Sequence, residues 1–300
     1  MAALLATTLA ALPMVFAPAA TGARPADAPF PTATFQESFV DTTRPTAATP
    51  VAPATERRVL ATTIVYPVGV QGRVPLVVLL HGNNGHPSKF AQLMNAWAAA
   101  GYVVAAPAFP LTSNATPGGS QTGDVVNQPA DVSFVIDRLL ALAQRKGLTP
   151  IGGLVDPKRI AVAGLSLGGA TLYALAFNSC CIDKRIDAAI LMSAVKFQFK
   201  GGREVKRHVP ALLLHGDADP LYRISVASYP TLATPKWFVT LHGSTHAGPF
   251  EDSPDPADAV VPQITIAFLD LYLKHDAGAA QRLVDAVQTY GQAEVRRKLR

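Results

Sequence analysis

An apolar run that ends in a serine between two glycines constrains the fold of this chain more than any other segment. The run Ile160 to Ala163 predicts a buried strand, and the segment that begins at Leu167 predicts a helix. Between them, Gly164 and Gly168 stand two residues before and after Ser166, where a crowded strand-to-helix turn requires small residues. Because glycine and serine are common, the pattern alone would also fit an ordinary tight turn. Its setting between a strand and a helix favours a serine nucleophile.

A serine nucleophile needs a base and a carboxylate that orients the base, and two later segments carry such residues. The apolar run Val209 to Leu214 leads into a turn that contains Asp217 and Asp219. The apolar run Trp237 to Leu241 is followed by a loop of small residues around His246, where an imidazole can swing toward a serine. The residue types leave both aspartates open as the acid.

Two further histidines belong to the same segments. His215 and His242 lie inside or against the predicted strands, and we expect them to be hydrogen-bonded structural residues. His246 is therefore the predicted base.

The order Ser166, aspartate, His246 resembles the α/β-hydrolase superfamily of serine esterases, and the resemblance extends from about Val59 to Lys274. The chain looks most similar to dienelactone-hydrolase-like and bacterial acetylhydrolase-like esterases, and more distantly to cutinase-type polyester hydrolases. In the H-G-x-x-D turn of the family the last position is the catalytic acid, which implies Asp219. Asp217 is then expected to cap the turn through its own backbone.

The stretch His81 to Gly85 follows an apolar run and resembles the H-G-x-x-G loop of the same family. The resemblance implies an oxyanion hole built from the backbone N–H groups of Asn83 and Leu167. We expect His81 to hydrogen-bond within the loop, and Asn84 is a candidate for a side-chain contact with substrate.

Composition agrees with a single α/β domain. Hydrophobic residues make up 49% of the 300 residues and charged residues 16%, enough to bury one large core. Continuously apolar strands are typical of a mostly parallel sheet with helices on both faces. The predicted strands are Leu76 to Leu80, Tyr102 to Ala106, Arg159 to Ala163, Ala188 to Met192, Ala211 to Leu214 and Trp237 to Leu241. The predicted helices are Pro87 to Ala100, Gln128 to Lys146, Leu167 to Phe177, Ile224 to Tyr229, Ala257 to His275 and a terminal helix from Ala279 to Arg300.

The short connection from Ala194 to Val209 leaves no room for a large cap domain over the predicted site. An uncovered site would accept bulky, lipid-like or polymeric esters. Candidates for its apolar wall, which would equally suit ordinary packing, are Phe109, Phe197, Phe199 and Phe250. The segment Leu191 to Ala194 lacks the clamping tryptophan of cutinase-type enzymes, and no cysteine pair follows His246.

Residues 1–55 differ in kind from residues 56–300, which we predict to be the catalytic domain. Ala3 to Ala20 is alanine- and leucine-rich and resembles a secretory signal, although no Lys or Arg precedes Arg24. A Pro/Ala/Thr-rich linker from Thr21 to Thr55 is expected to be poorly ordered. We therefore favour a secreted protein without an integral membrane segment in the mature chain over a disordered cytoplasmic tail.

The remaining motifs favour no cofactor and no metal. Cys180 and Cys181 are adjacent, and we expect them to be two small, half-buried residues at a helix end rather than a disulfide. Metal-ligand spacings and Gly-rich nucleotide loops are missing from the sequence. The net charge of +5 is not clustered as nucleic-acid binding would require. We expect a monomer whose partner is an ester substrate.

These observations predict a carboxylic ester hydrolase that works through an acyl-enzyme intermediate on small or lipophilic esters. A lipase or a polyester hydrolase would use the same residues. An acyltransferase would use them too, and a non-catalytic binding protein on the same fold is the alternative from another class.

Overall fold

The computed structural model describes residues 29–300, in which nine strands form one sheet. The strands are β1 (Thr32–Asp41), β2 (Arg58–Pro67), β3 (Val74–Leu80), β4 (Val103–Pro107), β5 (Val155–Leu165), β6 (Ile186–Met192), β7 (Ala211–Gly216), β8 (Lys236–Leu241) and β9 (Ala293–Lys298). The predicted signal-like segment Ala3 to Ala20 lies outside the described residues. No helix among residues 29–300 is long and apolar enough to cross a membrane.

The central part of the sheet is parallel, as the apolar strands predict. The strand order is β1-β2-β4-β3-β5-β6-β7-β8-β9, and β4, β3, β5, β6, β7 and β8 run parallel to one another. Antiparallel strands flank them on both sides, because β2 pairs with β4, β1 with β2, and β9 with β8. The carboxyl ends of β5, β7 and β8 therefore meet at one edge of the sheet, where their loops can form a common site.

Helices cover both faces of this sheet. They are α1 (Ala91–Ala99), α2 (Gln128–Gln144), α3 (Leu167–Phe177), α4 (Tyr222–Ser228), α5 (Val261–Leu273) and α6 (Ala279–Tyr290). Side chains alternate across a strand, so Val77 and Leu79 of β3 pack with α1, α5 and α6, whereas Leu76 and Val78 pack with α2 and α3 on the other face. The predicted α/β-hydrolase architecture is confirmed.

Part of the expected linker is instead the first strand of the sheet. Thr32–Asp41 pairs along its whole length with β2, so the expectation of poor order from Thr21 to Thr55 is wrong for these residues. Phe39 is buried, and the ring of Phe35 packs edge-on against Tyr66 with centroids 5.9 Å apart. The folded domain thus begins before residue 56.

The predicted terminal helix ends at Tyr290 rather than at Arg300. Gly291 adopts the left-handed conformation with φ of 70°, which terminates α6 and redirects the chain. Ala293–Lys298 then forms β9, an edge strand antiparallel to β8. The basic end of the chain therefore lies on the sheet edge, where charged side chains oppose pairing with another chain.

Cys180 and Cys181 form a disulfide in the turn that follows α3. Oδ1 of Asn178 accepts the N–H of Cys180 at 3.1 Å, and the backbone oxygen of Asn178 accepts the N–H of Cys181 at 3.2 Å. This turn brings the two neighbouring sulfurs together. The expectation of two unbridged cysteines is therefore wrong.

Candidate active site

Ser166 occupies the turn between β5 and α3. Its φ of 54° and ψ of −112° place a non-glycine residue in a strained conformation, as expected of a serine raised on a sharp turn. The Ser166 N–H donates to the backbone oxygen of Met192 at 3.0 Å, and its own oxygen accepts the N–H of Val195 at 3.2 Å. These bonds fix the turn against the strand next to it and leave the half-buried side chain facing the sheet edge.

The two glycines around Ser166 are required by close backbone contacts. A Cβ on Gly164 would collide with the backbone of Gly168, and a Cβ on Gly168 would collide with the backbone oxygens of Leu80 and His81. The small residues predicted on either side of the serine therefore have a steric cause.

Asp219 and His246 meet at the carboxyl ends of β7 and β8. Oδ2 of Asp219 accepts a hydrogen bond from Nδ1 of His246, and Oδ1 accepts the N–H of Leu221 at 2.9 Å. Asp219 is buried, whereas His246 is half-buried and lies in the loop after β8. Burial alone would raise the pKa of Asp219, but the bonds from Leu221 N–H and the histidines outweigh it and hold the pKa below its usual range.

His215 also contacts this carboxylate, which sequence reasoning missed. Its Nε2 lies 2.6 Å from Oδ2 of Asp219, and its Nδ1 lies 2.7 Å from Oγ of Ser225. His215 is fully buried, and burial lowers the pKa of its imidazole. His215 is buried and hydrogen-bonded, as expected of a structural residue, but the sequence did not indicate that Asp219 is its partner.

Ser166 and His246 are not hydrogen-bonded to each other. Within residues 29–300, neither Oγ of Ser166 nor Nε2 of His246 has a hydrogen-bond partner. Such bonds are often long in ligand-free enzymes and shorten when substrate binds. The loops thus bring Asp219 and His246 into contact and leave the hydroxyl of Ser166 without a partner among residues 29–300.

The loop after β3 lies against Ser166. A Cβ on Gly82 would stand 3.2 Å from Cβ of Ser166, so only a residue without a side chain fits there unless its neighbours shift. Oδ1 of Asn83 accepts hydrogen bonds from Oγ of Ser120 at 2.6 Å and Oγ1 of Thr122 at 3.0 Å. The Asn84 N–H donates to the backbone oxygen of Thr112 at 2.8 Å.

Two backbone N–H groups at this site have no acceptor. Among the described residues, neither the N–H of Asn83 nor that of Leu167, the first residue of α3, donates a hydrogen bond. The positive end of the α3 dipole adds to the attraction for negative charge at Leu167. Both groups can therefore donate to an oxyanion.

His81 holds the loop rather than taking part in proton transfer. Its Nε2 accepts the N–H of Phe109 at 3.0 Å, so its Nδ1 carries the hydrogen and donates to the Gly82 oxygen at 2.7 Å. Burial lowers the pKa of His81 to about 4, which keeps the ring neutral.

Of the four phenylalanines predicted to form an apolar wall, three are buried and one is partly exposed. Phe109 and Phe250 are buried in the two main core clusters, so they do not form an open wall. Phe199 is buried beside Leu167, whereas the side chain of Phe197 is partly exposed. Asn84 is exposed beside the site, with a left-handed φ of 55°.

Phe197 lines a cavity of about 640 Å³ between α4 and the segment that follows β6. Ile224 and Ala227 of α4 also line the cavity, as do Lys196 and Glu204, which form an ion pair. Lys196 directly follows Val195, which bonds the backbone of Ser166, and α4 also carries the Ser225 that bonds His215. The residues that line the cavity do not include Ser166, Asp219 or His246, and the cavity is connected to them only through these neighbours.

One group of side chains has metal-ligating spacing among residues 29–300. The ligand atoms of His215, Asp219 and His246 lie within 4.8 Å of one another. Each of the three is already bonded within the group, as Asp219 Oδ2 accepts from both rings. We therefore treat the group as a hydrogen-bond network.

The sequence also matches a known family. The family model described as chlorophyllase matches residues 32–217, more than half of the chain. The chain belongs to the chlorophyllase family. It is therefore a carboxylic ester hydrolase of α/β-hydrolase type. In this chlorophyllase-family chain, the matched range includes Asn83 and Ser166 and ends before Asp219 and His246.

A solved structure supports the fold of this chlorophyllase-family protein. A ferulic acid esterase from Streptomyces cinnamoneus superposes with a TM-score of 0.69 at 21% identity, covering 91% of this chain and 98% of that chain. At this identity the likeness concerns the fold. No curated protein matches the chain.

Proposed function

We propose that the protein hydrolyses carboxylic esters through an acyl-enzyme on Ser166, with His246 as base and Asp219 as the acid that orients it. The observation that carries the proposal is the hydrogen bond from His246 Nδ1 to Asp219 Oδ2 at the sheet edge that also presents Ser166. Because Nδ1 donates to the carboxylate, Nε2 of the neutral ring is left as the acceptor that can take the serine proton.

The reaction has two steps, acylation of Ser166 and hydrolysis of the acyl-enzyme. Ser166 Oγ attacks the ester carbonyl while His246 Nε2 takes its proton, and the N–H groups of Asn83 and Leu167 bind the oxyanion. The intermediate collapses as the C–O bond to the alcohol breaks and His246 returns the proton to the leaving oxygen. Water then attacks the acyl-enzyme with His246 again as base, which releases the carboxylic acid and restores Ser166.

The substrates we propose are lipophilic esters. The cavity between α4 and the segment that follows β6 is lined by Phe197, Ile224 and Ala227, and it has room for a bulky apolar group. The connection from Ser193 to Pro210 contains no helix that would cover it. The proposal also includes export, which is supported by the Cys180–Cys181 disulfide, since disulfides persist in oxidising compartments.

Hydrolysis of p-nitrophenyl esters of increasing acyl length tests the proposal, with a polyester film as an added arm. We expect turnover of the soluble esters, one covalent fluorophosphonate label per chain, and loss of both in Ser166→Ala. Removing a triad member typically lowers the rate by about a thousandfold or more. Labelling or turnover that persists in the folded Ser166→Ala variant would contradict the assignment. Adding a competing alcohol separates hydrolysis from acyl transfer, because a transferase would form the new ester.

A further inference from the structure

One carboxylate oxygen of Asp219, the proposed catalytic acid, lies within hydrogen-bond distance of two imidazole rings. Oδ2 of Asp219 accepts a hydrogen bond from Nδ1 of His246 and lies 2.6 Å from Nε2 of His215. The two rings approach this oxygen from different elements, His246 from the loop after β8 and His215 from β7 itself. His246 is the proposed base, and the proposed reaction assigns no role to His215.

The hydrogen-bond partners determine where the protons of His215 lie. The pKa of Asp219 is below its usual range, so the carboxylate is ionised at neutral pH and only accepts. Nε2 of His215 must therefore carry a hydrogen. Burial lowers the pKa of His215, so the ring is neutral and its Nδ1 is an acceptor. The hydroxyl of Ser225, 2.7 Å away, is the donor to Nδ1.

The other groups around His215 do not provide an alternative partner. The titratable groups that lie against it are Asp219, His246 and Tyr222, whose ring meets the imidazole edge-on at 5.7 Å. The hydroxyl of Tyr222 is bonded to Oγ1 of Thr240 at 2.7 Å and is thereby directed away from the nitrogens. Both nitrogens of His215 are thus accounted for by Ser225 and Asp219.

We infer that His215 and Ser225 are positioning residues of the reaction: Ser225 sets the tautomer of His215, and His215 Nε2–H holds Asp219 Oδ2 facing His246. The inference rests on the proposed function of Asp219 and His246. With His215 in place, the carboxylate has one fixed orientation, since Oδ1 is held by the Leu221 N–H and Oδ2 by the two rings. Without His215, the Asp219 carboxylate loses one of the hydrogen bonds that hold it in place. One fewer donor then shares its negative charge.

Three variants and one control test the inference. His215→Leu removes the donor, His215→Gln retains an amide N–H that can reach Asp219, and Ser225→Ala removes the group that sets the tautomer. Tyr222→Phe is the matched control, because it loses a hydrogen bond on the same helix without altering the partners of His215. Thermal unfolding of each variant gives the folded fraction.

We expect His215→Leu to lower kcat by about ten- to hundredfold at nearly unchanged KM, and Ser225→Ala by about tenfold. His215→Gln should recover most of the loss, and Tyr222→Phe should stay within about twofold of the parent. In His215→Leu the acidic limb of kcat/KM should move to higher pH, because Asp219 with one donor fewer holds the protonated form of the base more strongly. A residue that merely supports the fold would not move this limb.

Unchanged kcat and an unchanged acidic limb in folded His215→Leu would overturn the inference. If that variant does not fold, Ser225→Ala decides, and an unchanged kcat there overturns the inference as well. Fluorophosphonate labelling of the parent distinguishes failure of the proposed function from failure of this inference. A parent that is not labelled contradicts the proposed function, whereas a labelled and active parent with insensitive variants contradicts only the role of His215 and Ser225.

Discussion

Oδ2 of Asp217 lies 2.7 Å from Nδ1 of His242, and both side chains are partly exposed. Oδ1 of the same carboxylate accepts the N–H of Gly243 at 2.7 Å. The bond from His242 and then that from Gly243 hold the pKa of Asp217 below its usual range. The turn after β7 therefore carries two aspartate–histidine pairs, an exposed one at Asp217 and a buried one at Asp219.

Replacing each aspartate with asparagine should show which of the two pairs is needed for activity. Asp219→Asn should lower kcat by about a thousandfold or more, because the amide no longer fixes the productive tautomer of His246. Asp217→Asn should leave kcat within about twofold and cost at most about 1 kcal/mol of stability, as expected for an exposed pair. Steady-state kinetics and urea unfolding measure both. The reverse ranking would transfer the acid to Asp217.

The parts of this site that could be predicted from the sequence are those encoded locally. The apolar run before Ser166 and the glycines around it determine strand, turn and helix within one short segment. The loops that carry Asp219 and His246 follow apolar strands, and parallel strands bring their carboxyl ends together. Contact between Asp219 and His246 follows from this arrangement.

The parts that could not be predicted depend on partners distant in the chain. The strand β1 is largely polar and forms because it pairs with β2. The strand β9 pairs with β8, although its charged sequence is typical of the end of a helix. In β9, Arg296 and Arg297 lie over the rings of Phe238 and Trp237, with the guanidinium carbons 4.8 and 5.3 Å from the ring centroids. Such cation–π contacts with β8 leave no periodic signal in the sequence.

Replacing Gly82 should test how closely the proposed oxyanion loop approaches Ser166. In Gly82→Ala the new Cβ would stand 3.2 Å from Cβ of Ser166 and 3.4 Å from the Leu165 oxygen, so loop or serine must shift. We expect kcat to fall by about tenfold or more, since small misplacements of reacting groups are costly. Gly123→Ala is the control, because a Cβ there meets no described atom within 4 Å. Equal activity of the two variants would contradict the close approach.

Asp183 should make the stability of the protein depend on pH. Its Oδ2 lies 2.6 Å from Nη2 of Arg185 and accepts from Oγ of Ser133 at 2.9 Å. Burial would raise the pKa of Asp183, but the bonds from Arg185 and Ser133 outweigh it and hold the pKa below its usual range. Because the folded pKa is depressed, this contribution is present above the unfolded pKa and is lost as pH falls through the folded pKa.

Asp183→Asn should therefore lower the free energy of unfolding by about 2 kcal/mol at neutral pH, and by less in acid. Urea unfolding at neutral pH and at about pH 2.5 measures the difference. Asp137→Asn is the control, since Asp137 also pairs with Arg185 but its side chain is 63% exposed. A penalty for Asp183→Asn that stays constant between the two pH values would show that the carboxylate charge is not its cause.

Activity on short-chain esters should follow ordinary saturation without a rise at the solubility limit of the ester. A lipase with a lid is activated at an interface because the interface shifts the lid toward its open state, and the helix-free connection from Ser193 to Pro210 provides no such lid. Rate measurements across the solubility limit test this. A sharp rise would identify the segment from Leu111 to Gly123, whose Ser120 bonds Asn83, as a mobile cover.

Two neighbouring phenylalanines should have different effects on substrate preference. The rings of Phe197 and Phe199 meet edge-on with centroids 5.0 Å apart, but Phe197 lines the cavity and Phe199 is buried beside Leu167. Phe197→Ala should change the ratio of long-chain to short-chain kcat/KM by about tenfold, because an apolar pocket contact is worth about 1–3 kcal/mol. Phe199→Ala should instead cost about 3 kcal/mol of stability and affect both substrates alike. An unchanged ratio in Phe197→Ala would mean that the acyl chain binds elsewhere, since a chain in this cavity cannot avoid the exposed ring.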